Sequence, residues 1–110
     1  MNDPVNPNHY KYNEKKLLEE LALYIDNTYN QHYSQSKFQT TEFIMDSGHG
    51  EGFCIGNVMK YAQRYGKKEG KNRIDLLKVI HYGLLALHNH DANCIEDKAI
   101  PMPEDEWKRV

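Results

Sequence analysis

The chain has 110 residues, of which 39% are hydrophobic, and 14 Lys and Arg stand against 16 Asp and Glu for a formal charge of −2. That length holds one domain with a modest core. The near-neutral balance gives no electrostatic case for binding duplex nucleic acid or coating an anionic membrane.

No apolar run approaches the ~20 residues of a bilayer span. The start, "MNDPVNPNHY", has neither the basic nor the apolar region of a signal peptide, so a cytoplasmic protein without membrane partners is expected. Cys54 and Cys94 sit in no metal spacing and read as reduced thiols.

In chain order, Pro4 and Pro7 keep residues 1–12 extended. A first helix is predicted from Glu14 to about Tyr29, since Leu17, Leu18, Leu21, Ala22, Ile25 and Tyr29 fall on one face at about 100° per residue. The run "NQHYSQSKFQ" reads as a connection. A short helix through "TTEFIMDSG" follows, capped by Thr40 or Thr41 and ended by Gly48. "GHGEG" reads as a flexible link.

The third helix is predicted from about Gly52 to Tyr65, stopping at Gly66. Cys54, Ile55, Val58, Met59, Ala62 and Tyr65 form its apolar arc, and Asn57, Lys60, Tyr61 and Arg64 form a polar one. After the loop "GKKEGKN", the last helix runs from about Asn72 to His90. Leu76, Leu77, Val79, Ile80, Gly83, Leu84 and Leu87 are its expected core face, with Asp75, Lys78 and Tyr82 on another side. Residues 91–110, with Pro101, Pro103 and Trp107, read as an irregular tail. No segment alternates with period two, so the fold class is all-α: about four antiparallel helices in a single domain.

A short loop makes the third and fourth helices antiparallel neighbours. Their polar arcs then face each other across a groove offering cations for phosphate, aromatic rings for a base, and amide and carboxylate groups for hydrogen bonding. Gly56 lets backbone approach a ligand closely, and Lys67, Lys68, Lys71 and Arg73 add positive charge at one end. The plain alternative is that these cations are solvated, Asp75 is a helix-dipole partner and the tyrosines are packing residues. "HNHD", residues 88–91, ends a helix, where histidines meet the dipole. It lacks the ββ-α setting of a nuclease. No HExxH, paired CxxC, P-loop or ExxE pattern occurs, and no metal site is expected.

"DPVNPNHY", "GFCIGNVMKYAQRYGKK" and "RIDLLKVIHYGLLAL" stand in an order that resembles a family of small phage-encoded proteins. These are uncharacterised or nucleotide kinase-like, and one coliphage member phosphorylates deoxynucleoside monophosphates without a P-loop. Val79 and Gly83 replace the alanine and leucine usual in the last motif. The resemblance implies phosphoryl transfer from a nucleoside triphosphate to a (deoxy)nucleoside monophosphate in the host cytoplasm during infection; Mg2+ with the triphosphate, as in most phosphoryl transfer, and no tightly bound cofactor are the expectation. The resemblance carries functional roles onto His9, Tyr10, Gly56, Asn57, Lys60, Tyr61, Arg64, Lys67 or Lys68, Asp75, Lys78 and Tyr82.

Lys60, Arg64 and Lys78 would hold phosphates, and Asp75 would orient Lys78 or hold a metal. Tyr61, Tyr82 and Asn57 would contact base or sugar, with the N-P-N-H-Y segment over the groove. A second reading keeps the same residues in a non-catalytic protein that sequesters nucleotides against host nucleotide-signal defence. Leu23, Leu85 and Trp107, large apolar groups off the predicted core faces, predict a homo-oligomer.

Overall fold

The computed structural model describes residues 9–31 and 34–93, and only the backbone of residues 34–36 and 38. The expected extended start at Pro4 and Pro7, Cys94, and the tail with Trp107 lie outside the described residues. The described residues form four helices in order, α1 (Glu14–Asn30), α2 (Ser34–Asp46), α3 (Gly50–Arg64) and α4 (Arg73–Asn93), and no strand. The protein is all-α. No helix among the described residues is long and apolar enough to cross a membrane.

The chain divides into two compact units, residues 1–41 and 42–110. In the first, α1 starts after Asn13, whose backbone is left-handed (φ 65°). Asn13 makes no side-chain cap; the Tyr12 amide, just ahead of the helix, donates to Glu14 Oε1 at 2.9 Å, and Glu14 in the first turn suits the helix dipole. Of the expected apolar face, Leu21 is buried, while Leu17, Leu18 and Tyr29 are exposed.

Helix α2 begins at Ser34, well inside the run read as a connection. Helical spacing there joins residues that carry no apolar stripe of their own, so periodicity missed it. Thr41 Oγ1 donates to the Lys37 carbonyl at 3.1 Å; it lies inside the helix rather than capping it. The predicted stop at Gly48 is present. Gly48 has φ 91°, its amide donates to the Met45 carbonyl, and the His49 amide reaches the Ile44 carbonyl. That is a Schellman ending, and it delivers the chain directly into α3, so "GHGEG" is a turn plus the first turn of a helix.

Helices α3 and α4 pack together as a hairpin within the second unit. Their direction follows from two contacts. At one end Arg64 meets Asp75; at the other, Gly50 is buried against Asn89, where any β-carbon would overlap the Asn89 side chain. The helices are therefore antiparallel. Gly66 (φ 86°) and Gly70 (φ 69°) take the left-handed conformations that the tight connection demands.

Only part of the face expected to form the core lies in this hairpin: Cys54 is fully buried, and Val58, Tyr65, Leu77 and Val79 are half-buried. Its buried residues are Gly50, Cys54, Tyr61 and Asp75, two of which belong to the polar arcs. Ile55 and Met59 of α3, and Leu76, Ile80, Leu84 and Leu87 of α4, are exposed. The helices meet through their aromatic and charged sides because rings and an ion pair fill that contact, and the leucine stripe points elsewhere. Leu23 is exposed, while Leu85 is half-buried and so is not the stray surface leucine that the wheel suggested.

Candidate functional site

Asn72 caps α4: its Oδ1 accepts the Ile74 amide at 3.0 Å, the usual work of an asparagine before the first helical turn. That cap sets Asp75 in the first turn of α4, where the helix dipole favours a carboxylate. Asp75 is 4% exposed. Its Oδ1 lies 3.6 Å from Nε of Arg64, a close charge contact longer than a hydrogen bond. Asp75 Oδ2 and Arg64 Nε are buried without a hydrogen-bond partner among the described residues. Arg64 Nη2 donates to Glu69 Oε2 at 3.3 Å, and Glu69 Oε1 accepts from Asn72 Nδ2 at 3.5 Å. Arg64 is thus held between a buried carboxylate and one from the connecting loop.

One turn back along α3, Tyr61 is buried and stacks on Tyr82, with centroids 5.9 Å apart and planes within 9°. Tyr82 also meets Phe53 edge to face at 5.9 Å. Both are favourable aromatic geometries. Three cations approach the same Tyr61 ring. Lys60 Nζ lies 5.1 Å from its centroid, Lys78 Nζ 4.9 Å and Arg64 Cζ 6.0 Å, all within cation–π range. Neither Lys60 nor Lys78 has a carboxylate partner among the described residues. The ring quadrupole offsets part of their mutual repulsion; an anion would offset the rest.

The two polar arcs do face each other, bringing together Lys60, Tyr61, Arg64, Asp75, Lys78 and Tyr82. They meet in direct contact rather than across an open groove. Tyr61 is enclosed by its neighbours, which takes its ring away from the expected base contact. Asp75 pairs with Arg64 rather than Lys78. Asn57 Nδ2 donates to the Phe53 carbonyl of its own helix at 2.8 Å.

Gly56 is exposed, and a β-carbon there would meet nothing within 4 Å. Lys67 Nζ donates to Gln63 Oε1 at 3.3 Å, while Lys68 and Lys71 are exposed. His9 and Tyr10 are exposed residues of the first unit. Glu69 and Phe53 escaped the sequence reading, in which Asn72 entered only as the start of the last helix. The signal for Glu69 was its place as the only acid in a lysine-rich loop. For Phe53 it was the turn preceding Asn57.

Cys54 is fully buried, and burial pushes its thiol pKa up, which makes it a packing residue and not a nucleophile. No group of three His, Cys, Asp or Glu among the described residues could hold a metal. The donors near the cations do not fit a resident magnesium either. Both carboxylates are engaged by Arg64, whose charge opposes a cation's.

A family described as a protein of unknown function (DUF3310) matches residues 27–83. The chain belongs to this family. The match runs from the end of α1 through the first half of α4, so the whole cluster from Phe53 to Tyr82 lies inside it. No curated protein and no solved structure matches the chain.

Proposed function

We propose that this member of the family handles nucleotides, holding their phosphates at Lys60, Arg64 and Lys78 and supporting phosphoryl transfer from a nucleoside triphosphate to a (deoxy)nucleoside monophosphate. The observation that carries the reading is the convergence of these three cations on one buried ring, two of them without a carboxylate partner among the described residues. A fold that gathers positive charge in this way is arranged for an anion. Phosphoryl transfer asks little covalent chemistry of a protein. It needs reactants held in line and charge neutralised on the transferring group.

Lys60 and Lys78, on facing helices, would touch the phosphates. Arg64 would add charge from a fixed position, because Asp75 and Glu69 hold it. An oxygen of the acceptor phosphate attacks the γ-phosphorus, and the nucleoside diphosphate leaves. Any magnesium arrives bound to the triphosphate as part of the substrate.

The engagement of both carboxylates by Arg64 favours a second reading, in which the protein binds and sequesters a nucleotide without turnover. Incubation of purified protein with a panel of nucleoside mono- and triphosphates separates the two. Diphosphate products support transfer; unchanged, retained nucleotide supports sequestration. Neither product nor bound nucleotide across the panel rejects both.

A further inference from the structure

Helix α4 carries Leu76, Ile80, Leu84 and Leu87, which are 44%, 47%, 44% and 59% exposed. Their spacing of four, four and three residues puts them within an arc of about 80°. That arc is turned well away from the line of Asp75 and Tyr82 that meets α3. Four large aliphatic groups in one row make a helix-packing seam.

The row is self-complementary under reversal. Laid antiparallel on itself about a point near Tyr82, Ile80 falls opposite Leu84, and Leu76 falls within one residue of Leu87. Gly83 stands at that centre and is exposed on the same side. A β-carbon there would meet nothing within 4 Å among the described residues, so packing among them does not demand a glycine. Its missing side chain instead allows a second helix to come close. Arg73 and Asp91 end the row, nine residues to either side of Tyr82, and reversal brings opposite charges together.

We propose that α4 packs antiparallel against α4 of a second copy of this chain, about a two-fold axis passing near Gly83. A self-complementary patch is what a two-fold interface requires, and few unrelated partners would match this register with both apolar and charged positions. The seam is separate from the Lys60–Arg64–Lys78 cluster, so the inference does not depend on the nucleotide reading.

Two measurements test it. Light scattering after size exclusion, at loading concentrations from about 1 to 100 µM, should give twice the chain mass or an even multiple for the wild type. Leu84→Glu and Ile80→Glu should each weaken association at least about 30-fold while retaining helical circular dichroism, because both sites are surface positions in the single subunit. Independently, Gly83→Cys in a Cys94→Ser background should form a disulfide between identical residues under mild oxidation, which needs Cα atoms within about 7 Å. Peptide mapping identifies the bond. A wild-type monomer at 100 µM overturns the proposal. An oligomer whose mass survives both glutamates, or a cysteine at 83 that never bridges to its copy, overturns it as well.

Discussion

Replacing Asp75 with Asn tests the central contact of the hairpin. The carboxylate is 4% exposed and faces Arg64 Nε at 3.6 Å. Breaking a fully buried pair by removing one partner costs about 3–5 kcal/mol, chiefly because the other charge is stranded. Arg64 is not stranded here: its side chain is 27% exposed and keeps Glu69, which lowers the expectation. Loss of a carboxylate from the first turn of α4 adds about 0.3–1 kcal/mol. The Asn amide gains little, since Oδ2 already lacks a partner among the described residues. The expected loss is about 2 kcal/mol. At about 4–8 °C per kcal/mol for a domain of 60–100 residues, the melting temperature should fall by about 8–16 °C. A double-mutant cycle with Arg64→Ala should return a coupling of at least about 1 kcal/mol. A fall of less than about 2 °C for Asp75→Asn, or strict additivity with Arg64→Ala, would show that the pair contributes nothing and that Arg64 is positioned by other means.

Lys60→Ala removes an exposed cation and should weaken nucleotide binding by about 1–3 kcal/mol in a calorimetric titration with the melting temperature unchanged; wild-type affinity would remove Lys60 from the site. Arg64→Ala should weaken binding by a similar amount but also lower the melting temperature, because it abandons Asp75 in the interior. Gly50→Ala drives a methyl group into the Asn89 side chain and should destabilise by about 1–3 kcal/mol, with part of the loss recovered by adding Asn89→Ala; stability equal to wild type would mean that the Asn89 side chain swings aside at no cost. Cys54, with burial raising its thiol pKa, should be alkylated at pH 8 only as fast as the protein opens, whereas immediate labelling of Cys54 in peptide maps would show that this part of α3 is open to solvent.

Helix boundaries near strong punctuation were legible. Gly48, Gly66 and the start of α4 all fell within a residue or two of expectation, because glycine at positive φ and an Asn cap are local effects. Ser34–Gln39 was not legible as helix, since a polar segment carries no apolar period and its helicity depends on what surrounds it. The meeting of the two polar arcs was foreseen from the short loop and the wheel. Their closing on each other was not. A helical wheel ranks faces by hydropathy and assumes that the most apolar face turns inward, whereas the α3–α4 contact is filled by Tyr61, Tyr82, Phe53 and the Arg64–Asp75 pair. Rings with large surfaces can fill such a contact even when their neighbours are charged.

That inversion ties the candidate site to the leucine seam. A hairpin whose inner face mixes charge and aromatic rings with Cys54 and half-buried Val58, Leu77 and Val79 gains less from burial of aliphatic surface than an aliphatic seam would, and it bears the desolvation of Asp75 and Arg64. The aliphatic residues that would normally offset this cost, Leu76, Ile80, Leu84 and Leu87, remain on the outside. Covering them with a second α4 would return the missing apolar burial at about 25 cal/mol per Å² without disturbing the cations around Tyr61. On this view the cation cluster is one whose stability is supplied from the far side of α4. Leu84→Glu should then lower the melting temperature at concentrations where the wild type is dimeric and leave it little changed under dilution, since stability gained by association follows protein concentration. A melting temperature that is independent of concentration in the wild type and equal in the variant would break the link between seam and site.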